Sequence, residues 1–187
     1  MDFEIEILKH PTEDDWRLCR TCALTTVLSL DPNGNHDGEN VSMEWKHRIL
    51  RANHSPIRTL QFCFKLTGIP YWVSVHLCRH IHAIPFVSSQ RDDRQHQYKR
   101  GEAPQNAPVN MCWYMNAEEL ITIAHKRLCY KASPETREIV QAICREVERV
   151  NPEFRGLLVP NCVYRGGICT EMVSCGYNKS IDTEDSY

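Results

Sequence analysis

Basic and hydroxyl side chains concentrate in residues 79–100, and such a composition is typical of an anion-binding site. This stretch has five Lys or Arg, three His and two Asp residues. The hydroxyl groups of Ser88 and Ser89 lie between the arginines, and both groups suit a bidentate anion such as phosphate. The alternative is a solvated loop in which the arginines pair with Asp92 and Asp93, because structural ion pairs are common.

A second candidate is Arg127, in a segment that predicts a helix beginning at Asn116. Eleven residues separate the two, which is about three helical turns, so both side chains lie on roughly the same side. A guanidinium there could bind an anion from the same face. The alternative is an ordinary surface arginine.

Cysteines form the third candidate. The chain has ten of them, and four lie in or near its C-terminal part: Cys129, Cys162, Cys169 and Cys175. Zinc takes four thiolates in a tetrahedral site, and a loop with little apolar content would gain stability from it. The alternatives are unrelated thiols or, in an oxidising compartment, disulfides. The Cys19-x2-Cys22 pair falls on a predicted helix and favours core packing.

Strands and helices must position these residues. Alternating side chains predict strands at residues 3–7 and 60–66, with a break at 68–70 and a short extended piece at about 84–90. Capping residues and helical spacing predict helices at about 13–28, 42–53, 71–80, 116–131 and 133–151. Residues 91–110 are predicted to be a long loop, which is usually functional or disordered.

Composition narrows the function classes. The 187 residues include 22 Lys or Arg and 24 Asp or Glu, so no overall basic charge favours binding to a nucleic acid polymer. No apolar run has membrane-spanning length, and the acidic start is unlike a signal peptide. We therefore expect a cytoplasmic protein without membrane contact. We expect a single domain at 1–178, with a cysteine-containing segment at about 152–178 and a flexible acidic tail at 179–187.

In their order along the chain, these segments resemble the flavin-dependent thymidylate synthases, the ThyX family, over about residues 5–150. The matching parts are Arg20-Thr21-Cys22, Asn53-His54-Ser55-Pro56 before the strand at 60–64, Arg79-His80, Ser89 with Arg91, and Asn116-Ala117-x-x-Leu120 before Arg127. The chain resembles a divergent and shortened member, because the family has two or more further helices between its signature and the Asn-Ala segment.

The family signature reads Arg-His-Arg-x-x-Ser-x-Asn-Glu-x-Ser-x-Arg, and four of its eight fixed positions match here. These are Arg79, His80, Ser89 and Arg91. Apolar residues replace the third basic residue, the first serine, the asparagine and the glutamate: Ile81, Ile84, Phe86 and Val87. In addition, Arg58 stands where the family usually has an acid.

The resemblance implies an α+β fold, with a mainly antiparallel sheet flanked by helices. It also implies a homotetramer with active sites at subunit junctions. Each site would hold FAD, deoxyuridine monophosphate (dUMP) and methylenetetrahydrofolate, with NADPH as reductant. The implied reaction is methylation of dUMP at carbon 5 to give dTMP.

Carried over by position, the resemblance implies a role for each site residue. The flavin nucleotide would be faced by Ser55, Arg79, His80 and Asn116. The substrate would be bound by Arg79, Ser89, Gln90 and Arg91, with Arg94 as a replacement for a missing family arginine. Arg127 would be the catalytic cation at the pyrimidine, where a fixed guanidinium stabilises a developing anion.

The replaced signature positions leave two alternatives to this function. One is a related enzyme that acts on a different pyrimidine nucleotide or transfers a different one-carbon unit. The other is a non-catalytic nucleotide-binding protein that has lost FAD. The four-cysteine zinc site is a separate hypothesis and does not depend on any of these functions.

Overall fold

A computed structural model of the chain describes residues 2–26, 40–89, 91, 99 and 101–181. Its centre is an antiparallel sheet of β1 (Glu4–Lys9), β2 (Gln61–Pro70), β3 (Ile84–Val87) and β4 (Pro108–Asn116). The strands are ordered β1-β2-β4-β3. The predicted class, α+β with a mainly antiparallel sheet, is confirmed.

Strand β2 is longer than the sequence predicts, because the break expected at residues 68–70 is a bulge. The register with β4 shifts between Leu66 and Ile69. Gly68 lies between them with φ of 77°, a conformation that glycine adopts without strain. Its N–H donates to Asn110 Oδ1 at 3.2 Å, and beyond the bulge Ile69 and Pro70 pair with Val109 and Pro108.

Strand β4 is the main feature that the sequence analysis missed. The predicted loop extended to Asn110, yet Pro108–Asn116 pairs with both β2 and β3. The alternating burial of Val109, Met111, Trp113 and Met115 is the pattern of a strand. That signal was present in the sequence, and the polar stretch before it obscured it.

The described helices are α1 (Glu13–Leu24), α2 (Met43–Arg51), α3 (Tyr71–Leu77), α4 (Ala117–Arg127), α5 (Pro134–Val150) and α6 (Asn161–Tyr164). Short 3-10 helices lie at Ser55–Thr59, Pro152–Phe154 and Tyr177–Ser180. Helices α1, α2, α4 and α5 are capped by Thr12, Ser42, Asn116 and Ser133, since a side-chain oxygen of each accepts the N–H three residues further on. Helix α4 ends four residues earlier than predicted, at Arg127.

The core lies between one face of the sheet and the helices. Phe62, Phe64 and Trp113 are fully buried there. Helix α5 buries one apolar face, formed by Ile139, Val140, Ile143 and Val147. Phe154 follows α5 and packs edge-on against Phe62, with ring centroids 5.4 Å apart. Among the described helices, none combines the length and apolar composition needed to cross a membrane.

Candidate functional site

Arg127 is held from two sides where the end of α4 meets the end of α3. Its Nε–H donates to His80 Nε2 at 2.8 Å, and its Nη2–H donates to the carbonyl of His76, also at 2.8 Å. His76 lies in the last turn of α3, where helix carbonyls lack intrahelical partners and a cation is favourable. The guanidinium therefore caps α3 and contacts the predicted signature histidine.

Glu119 faces the other ring nitrogen of His80, and it is not among the site residues predicted from the sequence. Its Oε1 is 3.4 Å from His80 Nδ1, and the side chains of His80 and Glu119 are only 10% and 6% exposed. In a capping box, this carboxylate would turn back to the backbone N–H of Asn116. Instead, Asn116 Oδ1 accepts the Glu119 N–H at 2.9 Å, while the carboxylate faces His80.

Arg79 adds a second positive charge beside Arg127. Together with His80 and Glu119, the two arginines form the Arg127 cluster. Arg79 is exposed in the turn after α3. Burial lowers the pKa of Arg127, and the neighbouring charge of Arg79 lowers it further. The pKa of His76 is also lowered, first by burial and then by Arg127 and Arg79. Within the described ranges no carboxylate forms an ion pair with either arginine, so the cluster favours an anion.

Comparisons with known proteins agree with the fold described above. A family model described as "Thymidylate synthase complementing protein" matches residues 92–153, about a third of the chain. No curated protein shows significant sequence similarity.

Solved structures match over most of the chain. Thymidylate synthase X (ThyX) from Helicobacter pylori with FAD and dUMP aligns with TM-score 0.65 and 14% identity, over 87% of this chain and 99% of that one. A second such complex aligns with TM-score 0.61 and 16% identity, over 83% and 97%. The fold is that of the flavin-dependent thymidylate synthases. The UMP/dUMP methylase PolB from Streptomyces cacaoi, bound with 5-Br dUMP, shares it with TM-score 0.61 and 12% identity, over 81% and 92%.

The residues predicted from the ThyX signature fall into two groups at opposite ends of β3. Arg79 and His80 precede the strand, and Ser89 and Arg91 follow it. Four strand residues alone span about 13 Å. Ser89 Oγ accepts the N–H of Arg91 at 3.3 Å. The described chain therefore does not bring Ser89 into contact with the Arg127 cluster. Gln90 and Arg94 lie outside the described residues.

The apolar replacements in the ThyX signature are largely on the surface. Ile81 is 84% exposed, Phe86 is 65% exposed and Ile84 is 54% exposed, while Val87 packs partly against the core. These residues lie in and before β3, which is at the edge of the sheet. Positions that are polar in the family signature thus present apolar surface here.

The remaining ThyX-like positions are near the start of α4. Arg58 pairs bidentately with Glu118, with Nε–Oε2 and Nη2–Oε1 distances of 2.5 Å and 3.0 Å. This pair raises the pKa of Arg58 and lowers that of Glu118. The charge of Arg58 is therefore balanced within the chain. Ser55 is exposed and lines a different cavity of about 410 Å³ with Trp45, Arg48 and His54.

The four candidate zinc ligands share one location. Cys129, Cys162, Cys169 and Cys175 line a cavity of about 20 Å³, together with His125. All four are free thiols. Burial raises the pKa of Cys162, and the neighbouring Cys129 and Cys169 contribute to the shift. Within the described residues, however, no three His, Cys, Asp or Glu side chains are arranged to hold a metal ion. The four cysteines predicted to bind zinc thus line one cavity, but in the described part of the chain their thiols are not in a ligating arrangement.

Proposed function

We propose that this protein binds a pyrimidine nucleotide and methylates it at carbon 5 in a flavin-dependent reaction. The nominal substrate is dUMP, with methylenetetrahydrofolate as one-carbon donor, NADPH as reductant and dTMP as product. One observation carries the proposal: Arg127 is held by His80 and the His76 carbonyl beside the positive charge of Arg79, with no carboxylate paired to either arginine in the described chain. They occupy this position in a fold shared with proteins crystallised with dUMP.

Arg127 is suited to the pyrimidine end of such a nucleotide. His80 and the His76 carbonyl take its Nε–H and one Nη2–H, so within the described ranges Nη1 is available to a ligand. A guanidinium held in this way stabilises negative charge that develops on the ring, because it needs no reorganisation during the reaction. Its lowered pKa has burial as the main cause, so the same burial strengthens its interaction with an anion.

The donors available for a flavin nucleotide are fewer than the family signature implies. Arg79 and Ser55 are exposed and can meet phosphate or ribose groups. In contrast, the His80 ring is bound by Arg127 and Glu119, and the Asn116 side chain caps α4. The exposed apolar row at Ile81, Ile84 and Phe86 can cover an aromatic ring but cannot bind phosphate. When bound, the flavin supplies the electrons that reduce the transferred carbon to a methyl group.

The active form in this proposal is a homotetramer whose sites combine residues of different subunits. The support is the separation of Ser89 and Arg91 from the Arg127 cluster by the length of β3. A second copy supplies the substrate-phosphate residues to the first. Mixing the R127M and R91M proteins tests this, because a fraction of the mixed sites would have both arginines. Recovered nucleotide binding is expected, whereas no recovery from a mixed oligomer, or a strictly monomeric protein, contradicts a shared site.

The first experiment is an absorbance titration of the purified protein with FAD and then with dUMP. The expected result is a bound-flavin spectrum that shifts when the nucleotide is added. The reaction is then run with dUMP or UMP, and mass spectrometry identifies the product. Absence of flavin binding would contradict the enzymatic proposal and favour the non-catalytic alternative.

A different pyrimidine nucleotide is the main alternative substrate. Apolar residues at Ile84, Phe86 and Val87 replace three polar signature positions, so the groups that contact the substrate differ from those of the family pattern. The PolB relative is described as acting on both UMP and dUMP. Faster methylation of UMP than of dUMP would favour this alternative. In that case, the absorbance titration would still show that the protein binds FAD.

Zinc at the four cysteines is a separate proposal, supported by their convergence on one small cavity with His125. Because the thiols are not in a ligating arrangement, zinc would have to draw them inward as they lose their protons. Elemental analysis of freshly purified protein tests this. About one zinc per chain is expected, with loss of the metal in C162S and retention in C78S, which removes an exposed cysteine elsewhere. Absence of zinc in the unaltered protein contradicts the proposal.

A further inference from the structure

The side chain of Glu119 is nearly buried and faces one polar side-chain group among the described residues. Its side chain is 6% exposed, and within the described residues its only polar partner is His80 Nδ1, at 3.4 Å. A buried carboxylate that is neither paired nor hydrogen-bonded is costly, so the contact with His80 must contribute to its stability. Its place in the first turn of α4 adds the favourable end of the helix dipole.

The contacts of His80 determine which of its nitrogens has the proton. Arginine has no acceptor atom, so Arg127 Nε–H must donate to an unprotonated His80 Nε2. In a neutral ring the proton is then on Nδ1, which faces the Glu119 carboxylate. The three side chains therefore lie in sequence: Arg127 donates to His80 Nε2, and the opposite ring nitrogen, Nδ1, lies 3.4 Å from Glu119 Oε1.

We propose that Glu119 is a positioning residue for Arg127: it holds His80 in the Nδ1–H tautomer and thereby orients the guanidinium toward the nucleotide. If the ring changed tautomer, Nε2–H would point at Arg127 Nε–H, and the two donors would repel each other. With the tautomer held, one edge of Arg127 is oriented before the ligand arrives. Such preorganisation reduces the entropy lost on binding. The role in binding rests on the proposed function.

A purely structural role for Glu119 makes a different prediction. Trp113 packs edge-on against His80 at 6.2 Å between ring centroids, so the ring has apolar support independent of Glu119. If Glu119 only packed α4 against the turn after α3, its loss would lower the Tm without changing the tautomer of His80. The decisive readout is therefore the protonation pattern of the ring.

The test compares Glu119→Leu, which removes the acceptor, with Glu119→Gln, which keeps an acceptor without the charge. Glu118→Gln is the matched control, because that neighbour pairs with Arg58 instead of His80. Ring nitrogen-15 shifts of His80 identify the tautomer, and calorimetry gives the affinities for dUMP and UMP. Thermal melts show whether each variant is folded.

The expected result is a single Nδ1–H tautomer in the unaltered protein, in E119Q and in E118Q, and a mixed or Nε2–H ring in E119L. Nucleotide affinity is expected to fall about tenfold in E119L and to recover mostly in E119Q. A folded E119L with an unchanged tautomer, or with unchanged affinity, would overturn the inference. If the unaltered protein binds neither nucleotide, the proposed function fails, and the tautomer result still decides whether Glu119 orients His80.

Discussion

The Arg127 cluster and the cysteine cavity both contain residues that the sequence indicates as candidate site residues. The two regions differ in how their side chains are connected. Arg127, His80 and the His76 carbonyl are joined by hydrogen bonds of 2.8 Å, and Glu119 lies behind them. The four cysteines share only a cavity wall. Directional bonds with charged partners fix geometry, whereas thiols are weak donors and acceptors.

Both regions contain a histidine with a lowered pKa, and the causes separate them. For His76, burial acts together with the charges of Arg127 and Arg79. For His125, burial dominates, and its buried Nε2 has no hydrogen-bond partner among the described residues. The first region is thus an electrostatic site that an anion can neutralise, while the second is a desolvated pocket.

The largest effect is expected from Arg127→Met. Loss of the guanidinium removes charge-assisted hydrogen bonds, each worth about 1.5–3 kcal/mol, so dUMP affinity should fall roughly 10–100-fold. Arg127→Lys should fall in between, because an ammonium cannot contact His80 and the His76 carbonyl in the same planar arrangement. Calorimetric titration measures both variants. Cys162→Ser in the same assay should leave affinity unchanged, and an unaffected R127M protein would show that the cluster is not the binding site.

The next effect is an acid sensitivity that arises at His125. Its pKa in the folded protein is lowered below the ordinary value of 6.5, so the unfolded chain binds the proton more readily. Stability is therefore lost as the pH falls from about 6.5 toward the folded-state pKa. Each kcal/mol lost lowers the Tm by roughly 2–4 °C in a chain of this size. Melting curves at pH 7.5 and 5.5 should show a smaller decrease for H125L than for the unaltered protein. Equal decreases in Tm for H125L and the unaltered protein would show that His125 does not cause the acid sensitivity.

A subtler effect distinguishes the two histidines directly. Nucleotide binding should raise the pKa of His76, because the anion offsets the charges of Arg127 and Arg79 that lower it. The pKa of His125 should stay constant, since burial is the main cause of its shift. Titration of both rings by NMR, with and without saturating dUMP, measures this. A common shift in both rings would mean that the regions are coupled.

The smallest effect is expected from Arg58→Gln. Arg58 is paired with Glu118 on the surface, and such pairs contribute little to stability. Nucleotide affinity should stay within about twofold of the unaltered protein. A larger loss in the calorimetric titration would mean that Arg58 takes part in binding despite this ion pair.

Much of the fold could be predicted because its signals are local. Thr12, Ser42, Asn116 and Ser133 cap helices through oxygens that reach only three residues ahead. Alternation in β2 and helical spacing in α5 likewise depend on neighbours in the chain. Strand β4 was not predicted although its alternation is equally local, because the mostly polar residues 91–107 before it suggested that a loop continued.

The candidate site was predictable only in part. Residue type and the family resemblance single out Arg79, His80 and Arg127. Glu119, in contrast, cannot be distinguished in the sequence from any other acidic residue in the first turn of a helix. Its contact with His80 exists because α4 returns alongside the turn after α3. The local sequence does not predict this contact, because His80 and Glu119 are 39 positions apart.

By itself, the sequence determined the helix starts, the buried faces and the identity of the charged and thiol groups, because these follow from short-range sterics, capping and periodicity. Only the tertiary structure decided that Arg127 caps α3 and that Glu119 faces His80. It also separated Ser89 and Arg91 from them by the length of β3 and gathered four cysteines around one cavity. These arrangements depend on how distant elements pack, and packing is decided by the whole core at once.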